Sequence, residues 1–187
     1  MKLLLLSDTH GKLDKAIEVY HHLENINMIL HCGDVLDDAE ALMAELDVPV
    51  ASVAGNCDYP DLPAKTIVNT PAGKILLTHG HRENVSYDLT KLLYLTESED
   101  CVCGCFGHTH VPFHEDYDGI QLINPGSLSR PRDGSNGSFA VLDCTADGIS
   151  AEIIYYDQFM SKPETPKSKK KVTGGYLRGL LNYSDRF

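Results

Sequence analysis

Short apolar runs alternate with amphipathic segments through the first half of the chain. Lys2–Ser7 and Met28–Cys32 are dense apolar runs, typical of strands that are buried on both faces. Leu13–Leu23 lies between them and carries apolar residues near the helical period, and Asp37–Leu46 does the same after the second run. The pattern therefore predicts consecutive strand–helix–strand units.

Strands predominate in the second half. Pro49–Ala54 and Lys74–Thr78 have the composition of further strands, and Tyr87–Leu95 has a helical pattern. From Cys101 onward, short strands are separated by turns such as Asp118-Gly119. We expect an α/β fold, a layered sandwich of two mixed β-sheets flanked by helices.

Charge and composition divide the chain near residue 160. Residues 1–160 hold nine Lys/Arg and 25 Asp/Glu, whereas residues 161–187 hold seven and two. The segment Ser161–Gly175 is rich in lysine and proline and lacks the apolar residues that a core requires. We predict one globular domain at 1–160 and a basic, flexible C-terminal tail at 161–187.

Net charge and the length of the apolar runs argue against two classes of protein, nucleic-acid binders and membrane proteins. A net charge of −11 is unlike the basic surface of a general nucleic-acid binder. No apolar run approaches the roughly 20 residues of a membrane span, and Leu3–Leu6 is too short for a signal peptide. We expect a cytoplasmic protein with reduced cysteines, in which Cys101, Cys103 and Cys105 share one face of a strand and are buried in the core rather than bound to a metal.

Five short motifs directly follow apolar runs and carry oxygen or nitrogen donors that can bind metals. They are Asp8-Thr9-His10, Gly33-Asp34, Gly55-Asn56-Cys57-Asp58, Thr78-His79-Gly80-His81 and Gly107-His108-Thr109-His110. Open α/β sheets place ligand sites at the carboxyl ends of strands. Residues i and i+2 of an extended chain point the same way, so Asp8 and His10 can converge on one ion. His108 and His110 can likewise line one wall of a site. Each motif alone has an ordinary explanation, such as a helix cap at Asp34, but the five together predict a metal site.

The order of these motifs, D-x-H, G-D, G-N-x-[DE], H-G-H and G-H-x-H, resembles that of the calcineurin-like metallophosphoesterase superfamily. The resemblance covers nearly all of residues 1–160. The Gly55–Asp58 motif and the later Asn124-Pro125-Gly126-Ser127 look most like the small single-domain bacterial and archaeal phosphodiesterase branch. The resemblance implies the metallophosphoesterase fold and two divalent transition-metal ions per chain.

The resemblance also implies which residues bind each ion. The first ion would be bound by Asp8, His10, Asp34 and His110, and the second by Asp34, Asn56, His79 and His108. Asp34 would bridge the two, because a carboxylate can give one oxygen to each cation. This set of oxygen and nitrogen ligands without thiolates suits manganese first, and also nickel, cobalt, iron or zinc.

The implied activity is the hydrolysis of phosphoesters, phosphodiesters in the first place, by in-line attack of a metal-bridging hydroxide. Asp34, Asn56 and His108 are the expected catalytic residues. A phosphomonoesterase or nucleotide phosphatase is an alternative, and so is a non-catalytic scaffold of the same fold, like the retromer subunit. All seven ligand positions hold a residue that can bind metal, which favours an enzyme. The expected partner is a small phosphoester substrate, with neither membrane nor nucleic acid, and self-association into a homo-oligomer stays open.

The third motif departs from the family pattern at one position. Many members have histidine after the asparagine, where it protonates the leaving group or steadies the phosphate, but this chain has Cys57. A thiol is a poorer acid toward an alkoxide. Cys57 and Arg130 are our candidate substrate-binding residues, the alternatives being a small buried residue and a solvated arginine. Asp58 is a candidate for holding the loop or for hydrogen-bonding a ligand histidine, and His81 is either a supporting partner of a ligand or a bystander.

Overall fold

A computed structural model of the protein describes residues 1–59 and 63–161. The strands are β1 (Lys2–Leu6), β2 (Met28–His31), β3 (Val50–Ser52), β4 (Lys65–Thr70), β5 (Gly73–Thr78), β6 (Cys103–Cys105), β7 (Pro112–Tyr117), β8 (Ile120–Pro125), β9 (Ser138–Thr145) and β10 (Gly148–Tyr155). The helices are α1 (Asp14–His22), α2 (Leu36–Leu46), α3 (Thr90–Ser98) and α4 (Tyr156–Met160). Apart from Ser161, the predicted tail lies outside the described residues, so the domain boundary stays a prediction.

The strands form two five-stranded sheets, in the orders β10-β9-β1-β2-β3 and β4-β5-β6-β8-β7. Both sheets are mixed. In the first, β1 is parallel to β2 and antiparallel to β9. In the second, β5 is parallel to β6 and antiparallel to β4. The predicted fold class, two mixed sheets flanked by helices, is confirmed.

Strand β1 explains why its apolar run does not alternate with polar residues. Leu3 and Leu5 pack in the core between the two sheets, whereas Leu4 and Leu6 pack with residues of α1 and α2 on the outer face. All four side chains are at most 1% exposed. A strand with two covered faces buries every side chain, which is the reason for the continuous leucines.

The cysteines lie in two different parts of the core. Cys103 and Cys105 face the core between the sheets, with their Sγ atoms 3.8 Å apart. Cys101 precedes β6 and packs instead in the cluster that contains Leu92 of α3. The prediction that all three are buried is confirmed, but the prediction that they share one face is wrong for Cys101, because the strand begins only at Cys103.

Two further elements differ from the sequence prediction. Strand β4 was not predicted, because it is an edge strand whose residues are all exposed or only partly buried. Helix α3 begins at Thr90 rather than Tyr87, since the backbone N–H of Thr90 donates to Asp88 Oδ1 over 2.9 Å and sets the first turn there. No helix among the described residues has the length and apolar character needed to cross a membrane.

Candidate metal centre

The five motifs meet at one place because each follows a strand at its carboxyl end. β1, β2 and β3 run parallel in one sheet, and β5 and β6 run parallel in the other. Backbone hydrogen bonds join neighbouring loops within each sheet, from Asp8 N to Gly33 O (2.9 Å) and from Gly107 N to His79 O (3.0 Å). The two sheets are joined by the N–H of His108, which donates to Asp8 Oδ2 over 3.0 Å.

The two carboxylate oxygens of Asp8 have different surroundings. Oδ2 accepts hydrogen bonds from Ser7 Oγ (2.6 Å) and from the His108 N–H. Oδ1 is buried and has no hydrogen bond of acceptable geometry with any described residue, although His110 Nε2 is 3.2 Å away. Burial opposes ionisation of Asp8, but His110, His79 and Ser7 together hold the pKa of its carboxyl below the usual value.

Two histidines are held with one ring nitrogen turned into the site. His79 Nδ1 donates to the Cys32 carbonyl over 2.8 Å, and His110 Nδ1 donates to the Arg130 carbonyl over 2.7 Å. A carbonyl can only accept, so both Nδ1 atoms carry hydrogen. A ring whose only hydrogen is on Nδ1 presents the lone pair of Nε2 to the site, which is the arrangement found in metal-binding histidines.

Asp34 lies between the two predicted sets of ligands. Its Oδ2 is 3.8 Å from His10 Nε2, and its Oδ1 is 3.6 Å from His79 Nε2. The same two oxygens accept hydrogen bonds from the backbone N–H (2.9 Å) and the thiol (3.2 Å) of Cys57. A carboxylate with one oxygen toward each set has the orientation that a bridging ligand needs.

Asn56 belongs to the half of the site that contains His79 and His108. Its Oδ1 is 3.1 Å from His79 Nε2 and 2.9 Å from His108 Nδ1. When the only ring hydrogen of His79 is the one on Nδ1, its Nε2 and the amide oxygen of Asn56 are two acceptors that face each other. A cation shared by these atoms would relieve that contact, as it would satisfy the free oxygen of Asp8.

The site as a whole fits divalent transition metals. Three groups of donor atoms lie within 4.8 Å of one another, namely Asp8 with His10 and His110, Asp8 with Asp34 and His79, and His10 with Asp34 and Cys57. The donors are carboxylates, imidazoles and one amide, with the Cys57 thiol at the edge. All seven predicted ligands are therefore brought to one site.

The backbone brings the ligands together in a different way from the one predicted. Asp8, His10, Asp34, His108 and His110 all have left-handed conformations, with φ between 48° and 68°. The expectation that Asp8 converges with His10, and His108 with His110, through extended alternation is therefore wrong. Residues without glycine's freedom adopt this conformation at a cost, and such strain is concentrated at functional sites.

Two glycines allow the motifs to approach the aspartates. A Cβ at Gly55 would lie 2.1 Å from Asp34 Oδ1, and a Cβ at Gly107 would lie 1.9 Å from Ser7 Oγ. Neither distance is possible between atoms that are not bonded. The third motif thus requires glycine because of the Asp34 carboxylate, and the fifth motif requires it because of the Ser7 hydroxyl.

The turn that starts at Ser127 holds the site from one side. The hydroxyls of Ser127 and Ser129 both donate to the Asp8 carbonyl, over 2.8 and 2.9 Å. Asn124 Nδ2 donates to the Gly107 carbonyl over 2.8 Å, which anchors the fifth motif. Sequence reasoning assigned no such role to these three residues, because their partners lie far away in the chain.

A cavity of about 260 Å³ opens over the site. It is lined by His10, Asp34, Asn56, Cys57, His108, His110, Arg130 and Arg132. Neither guanidinium has a hydrogen bond or ion pair with a described residue. Arg132 is the residue that sequence reasoning left without a role, although the scarcity of basic residues in this acidic domain was a usable signal.

Cys57 and Asp58 have different surroundings. Cys57 is exposed, so the alternative of a small buried residue is wrong, and its hydrogen bond to Asp34 raises the pKa of the thiol to about 11. Asp58 accepts from the backbone N–H groups of Leu36 and Gly55, both over 2.7 Å, so it fixes the loop and the start of α2. Asp34 makes no such cap.

His81 lies beside the ligands without bonding to them. Its ring centroid is 5.3 Å from that of His79 and 6.2 Å from that of His108. Its buried Nδ1 has no hydrogen-bond partner among the described residues. His81 therefore lies next to two of the ligands but orients neither of them through a hydrogen bond with its Nδ1.

Comparison with known proteins agrees with this geometry. The family model of the calcineurin-like phosphoesterase superfamily domain matches residues 1–147. The chain belongs to that superfamily. Members of the family use divalent metals, in agreement with the donor set described above.

Relatives within the superfamily carry related names. The chain is 34% identical over 161 residues to the probable metallophosphoesterase YsnB of Bacillus subtilis, covering 84% of this chain and 92% of that protein. It is 30% identical over 169 residues to the phosphodiesterase YfcE of Escherichia coli K12, covering 76% and 88%.

Solved structures share the fold. A predicted phosphoesterase from Streptococcus pneumoniae superposes with a TM-score of 0.69 at 25% identity, covering 83% of this chain and 90% of that one. Vps29 of Entamoeba histolytica, solved with zinc, superposes with a TM-score of 0.67 at 20% identity, covering 83% and 99%. The second likeness is a likeness of fold alone.

Proposed function

We propose that this protein is a phosphodiesterase that uses two divalent metal ions to hydrolyse small phosphodiesters. The observation that carries the proposal is the position of Asp34, whose two oxygens face His10 on one side and His79 on the other. The name of the relative YfcE supports a phosphodiester as substrate. A cytoplasmic location, supported by six free cysteines, belongs to the same proposal.

Seven side chains would hold the ions. Asp8, His10 and His110 would bind the first, Asn56, His79 and His108 the second, and Asp34 both. When bound, two divalent ions of this kind, manganese above all, supply Lewis-acid chemistry that activates water and polarises phosphoryl oxygens. The excess of positive charge over two carboxylates makes the site suitable for an anionic ester.

Residues around the cavity would orient the substrate, and the surroundings of the nearby serines argue against a serine nucleophile. Arg130 and Arg132 line the cavity, and their guanidinium groups have no hydrogen bond with a described residue; such groups can bind phosphate oxygens through charge-assisted hydrogen bonds. The hydroxyls of Ser7 and Ser127 are buried and donate to Asp8, so neither is available as a nucleophile. The Cys57 thiol donates to Asp34 and would face the ester.

The complete set of ligands supports an enzyme over a scaffold. Vps29 shares the fold, and non-catalytic members of the family exist, but fold alone does not determine activity. In this chain, each of the seven positions holds a donor that points into one site. A phosphomonoesterase shares the same centre and differs in the room around the phosphate, so substrate choice must be measured.

The test combines metal analysis with a substrate panel. The metal-loaded protein should hydrolyse bis-aryl phosphodiesters faster than aryl monoesters and nucleotides, and Asp34→Asn should remove most of that activity. Glu97→Gln removes one exposed carboxylate on α3 and serves as the matched control. Faster hydrolysis of monoesters would contradict the phosphodiesterase, and inactivity of the metal-loaded protein toward every ester would favour a scaffold.

A further inference from the structure

A second set of buried polar side chains lies directly behind the candidate metal centre. It consists of Thr9, His31 and Asp38, which are 0%, 0% and 5% exposed. None of the three is among the seven predicted ligands, and together they come from the first motif, the end of β2 and the first turn of α2. Buried polar groups are costly unless they are hydrogen-bonded, and these three are bonded to one another.

The direction of every hydrogen bond in this set can be assigned. The N–H of Gly33 donates to His31 Nδ1 over 3.2 Å, so Nδ1 is an acceptor and the ring proton is on Nε2. His31 Nε2 then donates to Thr9 Oγ1 over 2.9 Å. The Thr9 hydroxyl in turn donates to Asp38 Oδ2 over 2.6 Å, and the N–H of Gly11 donates to the same oxygen over 2.8 Å. The result is one continuous chain of bonds with no unsatisfied member between Gly33 and Asp38.

The hydrogen bonds hold the residues on both sides of the ligand His10, and they end at the residue before the ligand Asp34. Asp38 binds Thr9 and Gly11, the residues on either side of His10. At its other end, Gly33 directly precedes Asp34, the carboxylate between the two ligand sets. The loop around His10 and the loop of Asp34 are thus fastened to each other and to α2.

This fastening acts where the backbone is strained. Asp8 and His10, on either side of Thr9, have φ of 54° and 48°. Left-handed residues without glycine's freedom persist only where surrounding contacts hold them. The Thr9 hydroxyl, bonded on both sides, provides such a contact at the residue between the two ligands.

We propose that the series of hydrogen bonds from Gly33 through His31 and Thr9 to Asp38 positions His10 and Asp34 for the first metal ion. Thr9 and Asp38 are then positioning residues of the site. The inference rests on the proposed function insofar as that function supplies the ions. Supporting partners of ligands commonly contribute about 10–100-fold to metal affinity. Without these hydrogen bonds, His10 and Asp34 keep the atoms that bind metal, but they lose the orientation that makes binding favourable.

Thr9→Val and Thr9→Ser form the matched pair that tests the role of the hydroxyl. Valine has nearly the shape of threonine and no hydroxyl, whereas serine keeps the hydroxyl. Manganese titration by calorimetry should show two ions on the unsubstituted protein. The affinity of one of the two sites should fall about 10–100-fold in Thr9→Val and stay within about threefold in Thr9→Ser. The absorption spectrum of bound Co²⁺ should change in Thr9→Val alone, because it reports the geometry of the ligands.

A second pair covers the case in which valine at position 9 prevents folding. Asp38→Ala removes the carboxylate that accepts the hydrogen bonds of Thr9 and Gly11. Asp37→Ala removes the same charge from the neighbouring, exposed position of the first turn of α2. Only Asp38→Ala should weaken manganese binding and change the Co²⁺ spectrum. Thermal unfolding of the metal-free variants measures any general loss of stability separately.

The outcomes separate this inference from the proposed function. If the unsubstituted protein binds no manganese or cobalt, both are overturned. If it binds two ions and the variants Thr9→Val and Asp38→Ala bind them with unchanged affinity and an unchanged Co²⁺ spectrum, the positioning role is wrong while the proposed function stands.

Discussion

The thiol of Cys57 donates to Asp34 Oδ2 over 3.2 Å, so this cysteine of the third motif is hydrogen-bonded to the carboxylate between the two ligand sets. Cys57 also lines the cavity beside Arg130 and Arg132. The thiol therefore lies at the cavity in which the proposed ester would bind, but its pKa of about 11 makes it a weak proton donor.

The first prediction follows from that weakness. The protein should hydrolyse aryl diesters, whose phenolate leaves without a proton, far faster than alkyl diesters. Cys57→His should increase the rate on alkyl diesters by up to about 10²-fold, the lower range for a general acid, and change aryl diesters little. Cys57→Ala is the control and should be nearly silent on aryl diesters. The measurement is log rate against leaving-group pKa, and a flat line for the unsubstituted protein would sink the idea.

The second prediction concerns Arg132. Arg132→Ala should raise KM for phosphodiesters about tenfold with a smaller effect on kcat, because a hydrogen bond from a charged group is worth about 1.5–3 kcal/mol and this one is partly screened by solvent. Lys74→Ala removes the same charge from a surface pair with Asp100 and should leave KM unchanged. Equal effects of the two variants would mean that Arg132 acts only through net charge.

The third prediction uses the close approach of Gly55 to Asp34. Gly55→Ala places a Cβ 2.1 Å from Asp34 Oδ1, so the carboxylate must move and metal binding should fall by more than tenfold. In the control Gly134→Ala, the new Cβ meets no neighbouring atom. This substitution should lower the free energy of unfolding by only about 1 kcal/mol, because of the φ of 83°. Isothermal metal titration of both variants checks this, and normal binding by Gly55→Ala would contradict the described contact.

The fourth prediction concerns the basic C-terminal segment. From their composition, we predict that residues 161–187 lie outside the globular domain. Truncation after Met160 should leave the melting temperature unchanged and keep hydrolysis of an aryl diester within about threefold of the full chain. Loss of folding or activity would place the segment in the core or in an obligate interface.

The sequence predicted which residues meet at the candidate site better than it predicted how their backbones bring them together. The five motifs were identifiable because each polar group directly follows an apolar run, and all five lie within the residues that the family model matches. The extended alternation assumed for Asp8 and His10 was wrong, since local periodicity carries no information about left-handed turns stabilised by distant partners. Thr9 is bonded to residues 22 and 29 positions away, which only the packing of α2 on the sheet brings together.

Strands were also predicted where their own residues carry the signal and missed where a distant partner determines the structure. Strand β1 was predicted because both of its faces are buried, and that leaves an unbroken apolar run in the sequence. Strand β4 was missed because it lies at a sheet edge and its pairing with β5, rather than its own composition, makes it a strand.

The central claim is that two ions are bound on either side of Asp34. The most direct measurement is anomalous X-ray scattering from crystals of the protein soaked in Mn²⁺, together with crystals of Asp34→Asn. The account predicts two anomalous peaks in the unsubstituted protein, about 3.5–4 Å apart, one beside His10 and His110 and one beside His79 and His108. The Asp34→Asn crystals should lose at least one peak. A single peak in the unsubstituted protein, or two peaks that survive the substitution unchanged, would contradict it.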